Sequence, residues 1–102
     1  MAKFIDITIG ELDLKRSFKR SGIFWDKVFT LSSKVPKAWS RIFVEVWADT
    51  RYVPKRHARI EDHAIVTICL PEELEGEHMH FLIQAVERTN KAYRKFLLKM
   101  KA

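Results

Sequence analysis

Glu61–Ala102, EDHAIVTICLPEELEGEHMHFLIQAVERTNKAYRKFLLKMKA, carries its charge sorted along its length. From Glu61 to Glu87 the acids and bases are all acids: Glu61, Asp62, Glu72, Glu73, Glu75, Glu77 and Glu87. From Arg88 onward they are all bases: Arg88, Lys91, Arg94, Lys95, Lys99 and Lys101. Beneath both halves runs a stripe of Met79, Leu82, Val86, Thr89, Tyr93, Phe96 and Met100, spaced alternately three and four. Acids near the amino end and bases near the carboxyl end complement a helix dipole, and the stripe supplies one face to bury. The pattern predicts a helix from about Glu75 to Lys99. A coiled-coil seam fits less well, because Tyr93 and Phe96 are bulky and three heptads are marginal.

Upstream of that helix, His57–Ile60 and Ala64–Leu70 read as a hairpin turning at Glu61 and Asp62, with Pro71 closing the second strand. Tyr52–Arg56 contains Pro54 and reads as a loop. Earlier still, Trp39, Ile42, Phe43, Val46 and Trp47 recur at three and four, opposite Lys37, Arg41 and Glu45. That one-sided polarity predicts a helix over 36–49, with Pro36 in its first turn and Ser33 as the cap. Phe4–Ile9 alternates with period two and predicts a half-buried strand ending at Gly10. Lys19–Gly22 reads as a turn, and Phe24–Leu31 as a second strand with Phe29 and Leu31 inward.

The order is ββα followed by ββα, with a faint echo between Val28–Leu31 and Ile65–Ile68. It predicts an α+β fold: a four-stranded antiparallel sheet with both helices on one face, spanning 1–102 as one domain. On that reading the other face carries Asp6, Thr8, Thr30 and Thr67 beside Phe4, Val28, Ile65 and Cys69. Such a mixture suits an interface better than a core.

The 102 residues are 47% hydrophobic and 31% charged, with a formal net charge of +6, which favours anionic partners. The single cysteine, Cys69, excludes an intrachain disulfide and lies in a strand-like run, so it reads as a buried, inert thiol. The segment Met1–Ile7 lacks the apolar core of a signal peptide, and no window is apolar enough to span a membrane. A cytoplasmic protein is the expectation.

Catalytic and metal signatures are missing. His78 and His80 point about 200° apart on a helix, and no zinc-binding spacing includes Cys69. Ser32 and Ser33 lack a nucleophile elbow, the acids near Glu75 answer the helix dipole, and Gly10, Gly22 and Gly76 stand alone. The expectation is a non-enzymatic protein without metal or cofactor.

What remains is basic. Lys15, Arg16, Phe18, Lys19 and Arg20 gather near a predicted hairpin tip; Arg51, Lys55, Arg56 and Arg59 enter a strand; Arg88, Lys91, Lys95 and Lys99 share about 80° of one helix face. Lysines and arginines with an aromatic among them hold phosphates and stack bases. Phe18 and Trp25 are the stacking candidates, since Trp39 and Trp47 belong to a buried stripe. No RNP1-like strand, GXXG loop or paired-cysteine finger is present. The leading expectation is electrostatic, largely sequence-independent nucleic-acid binding by these three segments. The alternative is a protein-interaction module, an adaptor, inhibitor or small subunit with an acidic protein partner, using the open sheet face or dimerising through it.

Overall fold

The computed structural model describes residues 4–51 and 56–101. Strands β1 (Ile9–Leu12), β2 (Phe18–Ser21) and β3 (Phe24–Leu31) precede helix α1 (Lys37–Asp49). Strands β4 (His57–Glu61) and β5 (Ala64–Cys69) follow, then a 3-10 turn over Pro71–Glu75 and helix α2 (Glu77–Lys101). The described residues therefore form an α+β fold with one antiparallel sheet of five strands and two helices. The spatial order is β1-β3-β5-β4, with β2 beside the other half of the β3 edge occupied by β1.

The sheet has five strands where four are expected because its edge is split. Ile9 pairs with Leu31 and Leu12 with Phe29, whereas Phe18 pairs with Asp26 and Lys19 with Trp25. Between the two short strands, the Asp13 N–H donates to the Val28 carbonyl at 2.7 Å, and the Ser17 hydroxyl oxygen accepts from the Val28 N–H at 3.0 Å. Asp13 and Ser17 thus complete the hydrogen bonding of β3 across the gap.

Residues 4–8, expected as a strand, carry no ladder of their own. Asn90 of α2 holds both backbone groups of Ile7, and Thr8 exchanges bonds with Ser32. Strand β1 instead includes Gly10, where an added Cβ would come within 2.7 Å of the Thr30 hydroxyl oxygen. The predicted turn at 19–22 is mostly strand β2, and the chain reverses at Gly22, whose φ is +56°. The second hairpin turns one residue later than expected, at Asp62 and His63, both with positive φ.

Helix α1 starts after Pro36 and has no side-chain cap, so Ser33 is not its cap. The Val35 N–H donates to His63 Nδ1 at 2.8 Å instead, tying the approach to α1 onto the β4–β5 turn. Trp39, Phe43 and Trp47 are buried on one face and stack successively, with centroids 5.8 and 6.4 Å apart. They join Leu82, Ala85, Val86 and Tyr93 of α2 and Ala58 and Ile65 of the sheet in the main core.

The face assignment of β5 differs from expectation. Register pairs Ile65 with Phe29 and Thr67 with Lys27, and Ile65 lies in the helix-packed core, so Ile65, Thr67 and Cys69 face the helices. Val28, Ala64 and Val66 form a separate small cluster on the other face. A central strand buried on both sides shows no period-two signal to choose between them.

Helix α2 begins at Glu77, after the 3-10 turn that Pro71 initiates, and its 25 residues span about 37 Å. The molecule measures 50 × 29 × 18 Å, so α2 must run along its long dimension. Beyond Tyr93 most side chains are exposed, among them Phe96, Leu98 and Met100.

Candidate nucleic-acid interface

The first basic segment is divided by the split edge. Lys15 and Arg16 sit in the β1–β2 loop, where their N–H groups donate to the Asp13 carboxylate at 3.1 and 3.2 Å. Phe18, Lys19 and Arg20 lie in β2. Lys15 and Lys19 are exposed, and Phe18 retains 55% of its surface. Arg16 is engaged within the fold: its guanidinium donates to the Glu61 carbonyl at 3.4 Å and lies 3.8 Å from Asp62. It joins the β1–β2 loop to the β4–β5 turn.

The second segment is mostly structural. The Arg56 Nε–H donates to both Glu73 carboxylate oxygens, at 2.9 and 3.0 Å, and its guanidinium lies 5.2 Å from the centre of the Phe24 ring. Arg59 pairs with Glu61 at 2.9 Å. Lys55 lies outside the described residues. Arg51 is exposed just past α1 and lines a groove of about 270 Å3 with Gln84 and Arg88 of α2.

The third segment is intact as a surface. Arg88, Lys91, Lys95 and Lys99 are exposed, and none makes an ion pair among the described residues. The steps from Lys91 to Lys95 and from Lys95 to Lys99 each rise about 6 Å along the helix. The fold brings Arg51 to this ridge through the shared groove. Arg16 and Arg59 meet elsewhere, at Glu61. The three segments therefore divide among the outer face of α2, the β4–β5 turn with Arg16 and Arg59, and the opposite end of the sheet, where Lys19 lies opposite Trp25 and Arg56 meets Glu73. Trp25 is half-buried beneath the Lys27 ammonium, 4.6 Å from its ring centre, so Phe18 is the more accessible aromatic.

Several buried polar groups have no counterpart in the sequence reading. Asn90 Oδ1 accepts from the Ile7 N–H at 3.1 Å and the Trp39 Nε1–H at 2.9 Å, while Nδ2 donates to the Ile7 carbonyl at 2.8 Å. The Thr67 hydroxyl donates to the His57 carbonyl at 2.6 Å, and its oxygen lies 2.7 Å from His78 Nε2. With that hydroxyl proton committed, Nε2 must carry the hydrogen of the second bond. Burial depresses the His78 pKa; nearby Glu73 opposes the shift and Arg56 adds to it. For Glu73, burial favours the acid. The Arg56 bond and charge, with the Leu70 N–H, outweigh it and hold the carboxyl below its ordinary range.

Cys69 is fully buried, and burial aided by Glu73 pushes its thiol up to about 11. A thiol held in that state at neutral pH is a poor nucleophile. No group of three His, Cys, Asp or Glu side chains among the described residues is placed to hold a metal ion. No described helix is long and apolar enough to cross a membrane. In comparisons with known proteins, no family model, curated protein or solved structure matches the chain significantly.

Proposed function

We propose that this protein works by binding, not by catalysis, and that it contacts nucleic acid through the outer face of α2 with little regard to sequence. The observation that carries this reading is the ridge of Arg88, Lys91, Lys95 and Lys99, exposed and free of ion pairs among the described residues, with Arg51 across the groove. Positive side chains repeated along one line attract a backbone of regularly spaced phosphates, and they carry no means of distinguishing bases. Arg16, Arg56 and Arg59 act mainly inside the fold. Lys15, Phe18 and Lys19 form a secondary contact at most.

The test is fluorescence anisotropy with single- and double-stranded oligonucleotides in low salt. Glutamate at Arg88, Lys91 and Lys95 together should weaken binding to all sequences alike. Each lost contact should also reduce the logarithmic salt slope by about 0.7 on single strands or about 0.9 on duplex. Glutamate at Lys15 and Lys19 should have a smaller effect. Failure of the unmodified protein to bind either form at about 50 µM, within the ordinary non-specific range, would sink the proposal.

A second reading, a protein-interaction module, rests on one observation: Leu14, Phe18 and Ile23 are exposed around the β1–β2 edge. The centre of the open face gives it little support, because Val28, Ala64 and Val66 are already buried there.

A further inference from the structure

A groove of about 520 Å3 runs between residues 6–10 and one flank of α2, and Lys91, at the near edge of the basic ridge, also lines it. Its apolar part is formed by Met79, Ile83 and Val86 with Ile9, and Glu87 and Arg94 line it farther along. Ile83 is 43% exposed, and Leu98, on the same flank, is 69% exposed. At 100° per residue, Ile83, Glu87, Arg94 and Leu98 fall within about 60° of arc. They also form a chemical palindrome, apolar, acid, base, apolar, centred between Asn90 and Lys91.

We propose that this flank of α2 is a homodimer interface, on which α2 of a second copy packs antiparallel about a two-fold axis near Asn90 and Lys91. That axis sets Ile83 against the partner copy's Leu98 and Glu87 against its Arg94, each twice. The projecting Leu98 of each copy enters the apolar end of the other's groove. Arg94 already pairs with Asp6 of its own chain, and its five donors allow it to take Glu87 of the second copy as well. A parallel arrangement would set Arg94 against Arg94 and the basic carboxyl halves side by side, which is repulsive. Charge sorting therefore selects a second copy in one orientation, and the isologous contact closes without leaving a free surface. The proposal is separable from nucleic-acid binding, because Arg88, Lys95 and Lys99 do not line the groove and only Lys91 is shared by the two surfaces.

Light scattering after gel filtration and sedimentation equilibrium, from about 1 to about 200 µM of the full chain, test it. The mass should rise from 12.1 kDa toward twice that value. Leu98→Glu should weaken association at least about tenfold. It should leave helicity unchanged, and the melting midpoint too at concentrations where the unmodified chain is monomeric, because Leu98 is largely exposed in the monomer. Glu87→Arg and Arg94→Glu should each weaken association to a similar degree, and the two combined in one chain should restore most of it. This reciprocal rescue is specific to the antiparallel register and remains available should Leu98→Glu fold poorly. A monomer at every concentration, a dimer indifferent to these changes, or a double variant no better than either single one would overturn the proposal.

Discussion

Asn90 does more for this fold than its place in the sequence suggests. It lies beside Thr89 on a helix whose buried face is otherwise largely apolar, and its side chain makes three hydrogen bonds in the core. Two of them join the extended segment at Ile7 to α2, and the third fixes Trp39 of α1. Replacing it with leucine keeps the volume but strands the Ile7 N–H, the Ile7 carbonyl and the Trp39 N–H away from water. A buried group left unsatisfied costs about 1–3 kcal/mol, so Asn90→Leu should lose roughly 3 kcal/mol or more. That is a large share of the 5–15 kcal/mol typical of a domain. Urea denaturation measures it; a loss below about 1 kcal/mol would show that the clamp is dispensable. Little in the sequence marks this residue. The helical period places it at the margin of the stripe, where a polar side chain usually turns outward. Only its partners at Ile7 and Trp39, 83 and 51 positions away, give it a role. The same holds for Thr67, which reads as solvent-facing until His78 is found opposite it.

At the scale of elements, long periodic segments were legible and short two-sided ones were not. Both helices follow from their apolar spacing, and the second hairpin from the β-branched run of β5, the turn before it and the proline after it. The split edge was hidden because Asp13 and Ser17 look like ordinary loop residues, yet they replace a ladder. The charges of the candidate site were legible as charges. Their pairing was not, since Arg56 with Glu73 and Arg16 with Glu61 meet only through the topology.

The start of α2 adds a pH dependence that sequence alone does not give. His78 is buried neutral with its pKa lowered, whereas in the unfolded chain it titrates near 6.5. Below that value the unfolded chain binds a proton that the folded one resists. Stability is therefore full above about pH 6.5 and falls as the pH drops toward the depressed native value. Glu73 acts in a separate, lower window, where its stabilising carboxylate is lost by protonation. The urea midpoint should fall between about pH 7.5 and about pH 5.5, and His78→Gln should flatten much of that fall. An unchanged profile in the variant would place the dependence on another group.

At the scale of the whole molecule, one main core links every layer. It takes Trp39, Phe43 and Trp47 from α1, Leu82, Val86 and Tyr93 from α2, Ala58 and Ile65 from the sheet, and Ile7 from the amino-terminal segment. The cluster on the far face, Val28, Ala64 and Val66, is too small to fold independently. Unfolding should accordingly be a single cooperative transition. Phe43 is the residue on which to test this. It is fully buried and stacks on Trp39 and Trp47, the first of which is tied to Asn90 and the second set against His78. Phe43→Ala removes the middle of that ladder and should cost about 3–5 kcal/mol. Tryptophan fluorescence and far-UV circular dichroism should report the same lowered midpoint. Two separated transitions would mean that α1 leaves the sheet before the sheet melts. A midpoint unchanged by Phe43→Ala would remove α1 from the core altogether.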